Sequence, residues 1–405
     1  MRTRLSDAVT GEARRVAETA LRACVHCGMC NATCPTYQLT GEELMGPRGR
    51  IYLMKQALEG EPVSGLTREA LDACLGCRAC ETTCPSGVEY HRLYEVGHPA
   101  VLGGAPRPAP GRLTRAAIRA LALYPAFGAL AALGRAVRPL LPTPLRDKVP
   151  PAPGRTDRPP VRHARRMVLL TGCVQSGVAA HFNAAAARIL DRFGISLVEA
   201  PGAGCCGAVP GHLDARDAAQ TLARRNLDAW APLLDDGAET LIATSTGCGA
   251  YLHDYPDLLR DDPAYRDRAR RLADRVRDPV EVLETLPIEA ALTPARPRIA
   301  VHEPCSLQHG LKLAGRIPAL LRRLGYETLP VADGHLCCGS AGAWSLLNPD
   351  MAGRLRDGRV AALTAGKPQA VFTANIGCWM HLSAGAPAPL RHWLEAVEDV
   401  LPPVR

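Results

Sequence analysis

Sixteen cysteines in 405 residues fall into two arrangements, and each arrangement is used twice. No other feature narrows the fold so much, because thiols spaced for a common centre draw distant segments of chain together. The first arrangement is CVHCGMCNATCP, which supplies Cys24, Cys27, Cys30 and Cys34, followed by CLGCRACETTCP, which supplies Cys74, Cys77, Cys80 and Cys84. Both read C-x2-C-x2-C-x3-C-P. The second arrangement emerges when MVLLTGCV is superposed on IAVHEPCS, a shift of 132 residues that sets Cys173 on Cys305. The vicinal pairs Cys205–Cys206 and Cys337–Cys338 follow 32 residues later, each succeeded by a glycine, and Cys248 and Cys378 close the two copies. The C-terminal half is therefore duplicated, and no cysteine remains for a disulfide framework.

The triple-plus-one run is the ligand spacing of bacterial-type ferredoxins. Three closely spaced thiolates wrap one cubane and the fourth crosses to the other, so Cys24, Cys27, Cys30 and Cys84 are expected on one 4Fe-4S cluster. Cys74, Cys77, Cys80 and Cys34 are expected on the second. A pair of zinc knots is the alternative, but zinc sites use two separated pairs more than this run. Between Cys34 and Cys74, PRGRIYLMKQALEG has helical composition, which favours a helical two-cluster domain over a compact β-rich one. Arg48, Arg50 and Lys55 on that stretch are either charges beside the clusters or a solvated helix face.

In the duplicated half, short β-rich runs at 167–171, 195–199 and 241–243, then 299–302, 327–331 and 371–373, alternate with helical stretches such as 178–193 and 311–324. That alternation predicts βαβ units and a parallel sheet in each copy. Three cysteine loci per copy follow a strand, so they emerge at the carboxyl edge, where α/β folds place ligands. Cys173, Cys205, Cys206 and Cys248 are thus candidate ligands in the first copy, and Cys305, Cys337, Cys338 and Cys378 in the second. Three roles are open to them: inert buried thiols, a thiol–disulfide redox pair, and cluster or metal ligation. The last is favoured for at least one copy, because four thiolates at one edge repel unless a cation neutralises them. GAGCCG at 202–207 also fits the dinucleotide fingerprint, but the second copy carries Leu336 in place of the middle glycine. With no convincing flavin or nicotinamide segment and no nucleophile elbow, the chain itself carries no catalytic residue that the sequence singles out. Its electrons are expected from a partner subunit.

The formal net charge of +8 comes from one place. Residues 103–166 hold twelve arginines and Lys148 against Asp147 and Asp157, a local +11, so the rest of the chain is slightly acidic. An aromatic content of 4% offers few stacking platforms, and nucleic-acid binding is not expected. The N-terminus lacks the apolar core of a secretory signal, which places the chain in the cytoplasm. No run reaches the roughly 18 apolar residues of a membrane span. The basic segment holds 12 of the 35 prolines and reads as a connector with a short helix in its middle. Arg112, Arg115, Arg119, Arg135 and Arg138 flank its apolar stretch, which suits either an anionic membrane surface on the cytoplasmic face or a helix packed on the core.

Taken together, these residues resemble the glycolate oxidase (glycolate dehydrogenase) iron–sulfur subunit family over essentially the whole chain. The resemblance rests on CVHCGMCNATCPTYQLTGEELMGPRGRIYLMKQ, CETTCPSGVEYHRL, AGCCGA, HEPCSLQHGLKL, LCCGSAGAWSLL and TANIGCWMHL. The repeats look like the CCG domains of heterodisulfide reductase, of a membrane-associated glycerol-3-phosphate dehydrogenase subunit and of lactate-utilisation proteins. The resemblance implies an oxidoreductase complex in which FAD on a partner subunit oxidises glycolate to glyoxylate and this chain relays electrons to quinone or another respiratory acceptor. Equivalent subunits of D-lactate or glycerol-3-phosphate dehydrogenases, and a thiol/disulfide-active protein, are the alternatives. Tyr251 and His381 stand where the heterodisulfide reductase type has a further thiolate, which puts its unusual cluster in doubt here. His381 is either a substitute ligand or an ordinary partly buried histidine.

The expected class is α plus α/β: a helical two-cluster ferredoxin domain over 1–102, the connector over 103–166, and two repeated CCG domains over 167–297 and 298–405.

Overall fold

A computed structural model describes residues 1–142, 146, 149–288 and 297–401; Asp147, Lys148 and residues 402–405 lie outside them. The chain gathers into two units, Met1–Thr114 with His335–Leu355, and Arg115–Gly334 with Arg356–Arg405. The stretch bearing Cys337 and Cys338 thus groups with the N-terminal residues, where Arg354 donates to the Leu39 carbonyl at 3.2 Å.

The first unit is helical. The interval between the cysteine runs forms the helix Pro47–Glu59, opened by proline at its first position and closed by Gly60 in the left-handed region at φ 88°. The helix Tyr90–Gly104 packs against it and against Gly11–Ala23. Leu21, Met54, Leu58, Leu71 and Leu93 are fully buried between them.

The second unit contains two sheets of four parallel strands. In the first, β1 (Arg165–Leu169), β2 (Ile195–Val198), β3 (Leu241–Ile242) and β4 (Val276–Arg277) lie in the order β2-β1-β3-β4. In the second, β5 (Arg298–His302), β6 (Glu327–Thr328), β7 (Ala370–Thr373) and β8 (Leu390–His392) repeat that order as β6-β5-β7-β8. The outer strands β4 and β8 were absent from the sequence expectation: runs of two or three residues are too short to show a period of two. The run expected over 327–331 contracts to Glu327–Thr328, with Pro330 removing a ladder donor.

One apolar core joins the repeats. Met167, Leu169, Ile189 and Leu190 of the first share it with Ile299, Val301, Leu320 and Phe372 of the second. Either repeat alone would leave that face in water, so burial of the shared surface holds the pair together. Polar contacts fix the register: Ser245 Oγ donates to Asn375 Oδ1 at 2.7 Å, and the Thr246 amide donates to the Ala374 carbonyl at 3.1 Å.

Among the described residues the connector contains the two helices Ala109–Ala122 and Phe127–Val137, where the sequence suggested one short one. Pro125 interrupts the apolar run and separates them.

Candidate metal centres

Local backbone geometry repeats in the two ferredoxin-type runs. Cys34 ends the turn Met29–Thr33 at φ −88° and ψ 116°, and Cys84 ends Ala79–Thr83 at φ −74° and ψ 114°. His26 and Gly28 in the first loop, and Gly76 and Arg78 at the matching places in the second, all have φ between 60° and 84°. Two non-glycine residues accept that strain because the tight loop turns amides toward sulfur; the Gly76 amide lies 3.4 Å from Cys74 Sγ.

A small cavity of about 30 Å³ is lined by Cys24, Cys27, Cys30, Cys80 and Cys84, with Ile51 and Val88 as apolar wall. Cys30 is pushed up to about 11, first by burial and then by Cys24, with smaller contributions from Cys84 and Cys27. Cys80 is pushed well up by burial, then by Cys77 and Cys74, with Glu81 and Cys34 behind. The thiols therefore fall into two sets, each containing the fourth cysteine of the other run. Such sets are destabilised by mutual repulsion once ionised, and an iron–sulfur core relieves it; the all-sulfur donor set fits that group.

Arg48, Arg50 and Lys55 part company. Lys55 pairs with Glu59 on the helix surface, and half-exposed Arg48 forms a fork with Glu43 at 2.6 and 2.8 Å. Arg50 is only 1% exposed, so the solvated-face alternative is wrong for it. Its place one turn before buried Met54, itself one turn before Leu58, was the sequence signal for that burial.

In the first repeat, Cys173 lies just after β1, the Cys205–Cys206 pair in the loop after β2, and Cys248 in the helix Thr246–His253 after β3. Their thiols act on one another in series, Cys205 on Cys173, Cys206 on Cys205, and Cys248 on Cys206. Cys205 is pushed up to about 12: Cys173 lowers it, but Cys206 and burial outweigh that. Gly207 sits at φ 94°, where a Cβ would meet the Ala219 carbonyl at 3.2 Å, and Gly339 sits at φ 87°, where a Cβ would meet the Ala352 carbonyl at 2.9 Å. The glycine lets its amide approach the first sulfur of each pair, at 3.4 Å from Cys205 and 3.5 Å from Cys337.

In the second repeat, Cys305 follows β5 and Cys378 lies on the helix Ile376–Ser383 after β7. Cys337 and Cys338 are buried within the other unit. Sequence reasoning missed His302, at the end of β5. It is buried, lies within 4.8 Å of Cys378 Sγ by its ring nitrogen, and shares a 2.9 Å hydrogen bond between Nδ1 and Thr373 Oγ1. Its Nε2 has no hydrogen-bond partner among the described residues. Burial, then Arg359, lowers its pKa to about 3, so it stays a neutral imidazole able to ligate. The signal was its position three residues before Cys305 in HEPC. Tyr251 packs edge-on against His212 and Tyr255, while His381 is half-buried on its helix.

Comparison with known proteins agrees with this division. A 4Fe-4S dicluster domain matches residues 20–88, and a cysteine-rich domain matches twice, over 167–253 and 299–383. The chain is 48% identical to the glycolate oxidase iron-sulfur subunit of Escherichia coli (strain K12), covering 99% of each chain. It is 30% identical to the probable glycolate oxidase iron-sulfur subunit of Bacillus subtilis (strain 168), over 92% of this chain and 90% of that one. Lactate utilization protein A of Bacillus licheniformis is 24% identical over 54% of this chain. A crystal structure of a hypothetical protein from Helicobacter pylori shares the fold at a TM-score of 0.56 and 11% identity, over 98% of this chain and 74% of that one. Two crossed thiol sets in a helical unit, a duplicated parallel-sheet half and identity along the full length lead to one statement: the chain belongs to the family of glycolate oxidase iron–sulfur subunits.

Proposed function

We propose that this chain is the electron-transfer subunit of a flavin-dependent glycolate oxidase complex. Cys24, Cys27, Cys30 and Cys84 would hold one 4Fe-4S cluster, and Cys74, Cys77, Cys80 and Cys34 the other. When bound, such clusters supply one-electron storage and transfer. FAD on a partner subunit would take two electrons from glycolate, releasing glyoxylate, and the electrons would leave through this chain to a quinone, which takes up two protons to become quinol. The crossed grouping of eight thiols carries this proposal. Deleting the gene should abolish glycolate-dependent quinone reduction in membranes; unchanged activity there would refute it. A substrate panel including D-lactate and glycerol 3-phosphate separates the related dehydrogenases.

A thiol–disulfide role has weaker support. Attack on a disulfide needs a thiolate, and Cys173, Cys205 and Cys206 are all pushed upward and stay protonated near neutral pH without a cation. Ligation of a further cluster or metal by the repeat cysteines is the better use of these sites, with His302 beside the second.

The chain is also proposed to work at the cytoplasmic face of the inner membrane. No single described helix is long and apolar enough to cross a bilayer. Yet among the described residues six of the fourteen exposed large apolar side chains lie on the connector helices and their junction, among them Leu113, Leu121 and Leu133, and Leu140 follows in the next turn. Arg112, Arg119, Arg135 and Arg138 beside them have no carboxylate partner among the described residues, whereas Arg115 pairs with Asp214 at 3.3 Å. Exposed leucines with unpaired arginines suit an anionic lipid surface. Flotation with vesicles containing phosphatidylglycerol should be lost in an R112E/R119E/R138E variant. Binding to the flavoprotein but not to vesicles would make this face a subunit interface instead.

A further inference from the structure

The two thiol sets stand in different electrostatic surroundings, and the difference centres on Arg50. Its guanidinium is buried and donates three ways: Nε to the Ala70 carbonyl at 2.7 Å, Nη2 to Thr36 Oγ1 at 3.0 Å, and Nη1 to Cys34 Sγ at 3.8 Å. Thr36 directs its one hydroxyl proton to the Met45 carbonyl at 2.6 Å, so it accepts from Arg50 and holds the guanidinium in place. Arg50 has no carboxylate partner among the described residues; the acidic groups acting on it are Cys74, Tyr90, Cys34 and Tyr94. The Tyr90 hydroxyl points to Cys74 Sγ at 3.7 Å. Both donors thus reach sulfurs of one set, Cys34, Cys74, Cys77 and Cys80.

The other set has no such buried cation among the described residues. Arg48 lies near its loop but is half-exposed and neutralised by Glu43. The N-terminal ammonium bonds the carbonyls of Leu21 and Cys24 at 3.0 and 2.9 Å, in contact with water that screens it. Cys27 is exposed.

A cluster becomes more negative when it takes an electron, and its potential follows local charge, hydrogen bonds to sulfur and solvent exposure. Burial of Cys34 and Cys80 alone would disfavour that added charge; an unpaired buried cation beside Cys34 opposes the penalty. We infer that Arg50 is a positioning residue for electrons: it raises the reduction potential of the cluster on Cys34, Cys74, Cys77 and Cys80, and of that cluster alone. Thr36 fixes the guanidinium and Tyr90 adds a smaller contribution in the same direction. This rests on the ligand sets proposed above.

The test is an EPR-monitored redox titration of the full-length chain, purified anaerobically with its clusters. Arg50→Gln should lower one of two midpoint potentials and leave the other in place. Arg50→Lys, which keeps the charge, should stay near the wild-type value. Tyr90→Phe should lower the same potential by less, and Arg22→Gln at the surface should move neither. Thr36→Val, which frees the guanidinium without removing it, carries the test if Arg50→Gln loses its clusters; it too should lower that one potential. No shift, an upward shift, or equal shifts of both potentials would overturn the inference. Cys27→Ser labels the other cluster by altering its signal. If Cys27→Ser and Arg50→Gln affect the same signal, the ligand assignment fails while the charge effect stands.

Discussion

Replacing His392 with asparagine tests whether the paired repeats depend on a neutral imidazole. His392 opens the helix Trp393–Val400, and its Nδ1 accepts the Leu394 amide at 3.4 Å while its Nε2 bonds the Thr244 carbonyl of the first repeat at 3.1 Å. Phe182 stacks on the ring at 4.1 Å between centroids. Donation from Nε2 and acceptance at Nδ1 define one neutral tautomer, and a second proton at Nδ1 would break the helix cap. Burial, followed by repulsion from His181, lowers the pKa of His392 to about 3. Because this lies below the unfolded value, the unfolded chain binds the proton first on acidification, and stability is lost as pH falls below about 6.5. Between pH 8 and pH 5 the loss from this one group is about 2 kcal/mol, since each unit is worth about 1.4 kcal/mol. Asparagine retains an acceptor for the cap; whatever packing it forfeits against Phe182 is a constant offset, independent of pH. The assay is urea unfolding of the full chain followed by tryptophan fluorescence at pH 8 and pH 5, for wild type and His392→Asn. The gap between the two proteins should narrow by about 2 kcal/mol on going to pH 5. A gap that stays parallel would show that His392 is not held neutral by the fold, and the tautomer argument would fail.

Asp278 carries the opposite sign. It caps the helix Pro279–Leu283 through the Val280 amide at 2.9 Å, and burial raises its pKa to about 7. Its stabilising protonated form is lost as pH rises, so Asp278→Asn should gain about 2.5 kcal/mol relative to wild type between pH 5 and pH 8, measured by the same unfolding assay. Gly207→Ala should destabilise the first repeat by about 1–2 kcal/mol, from the left-handed backbone at φ 94°, and the equivalent Gly339→Ala should behave alike; unchanged melting temperatures would contradict the tight-loop account. Iron and sulfide analysis should give about eight irons if only the ferredoxin-type sets are loaded and about twelve if one repeat also holds a cubane. Cys84→Ser and Cys34→Ser should each perturb the cluster of the other run in EPR; damage confined to the run that bears the substitution would refute the crossed assignment.

Much of the architecture was legible because its signals are local or periodic. The cysteine spacings set out eight candidate ligands in one part and a duplicated set of four in the other. Alternating β-rich and helical stretches announced two parallel sheets, and PRGRIYLMKQALEG announced the helix Pro47–Glu59. Other features were hidden for identifiable reasons. Strands β4 and β8 have only two and three residues and show no pattern of their own; they are defined by their partners in the sheet. The burial of Arg50 went against the usual placing of charge, and its partners Ala70 and Cys34 come from other segments. His302 stands three residues before Cys305, but its neighbour Cys378 is 76 residues away, and sequence separation does not show that the two meet.

The amino-acid sequence by itself determined which chemistry this chain can host: covalent spacing along a short run limits which thiols can share a centre, and that survives any arrangement of the rest. Only the tertiary structure decided how each centre is surrounded. Whether Arg50 is hydrated or faces Cys34, whether His392 is free to bind a proton, and where the Cys337–Cys338 stretch groups all depend on segments distant in sequence. The physical reason is that electrostatic energy depends on distance and on exclusion of water, and neither is a property of sequence separation.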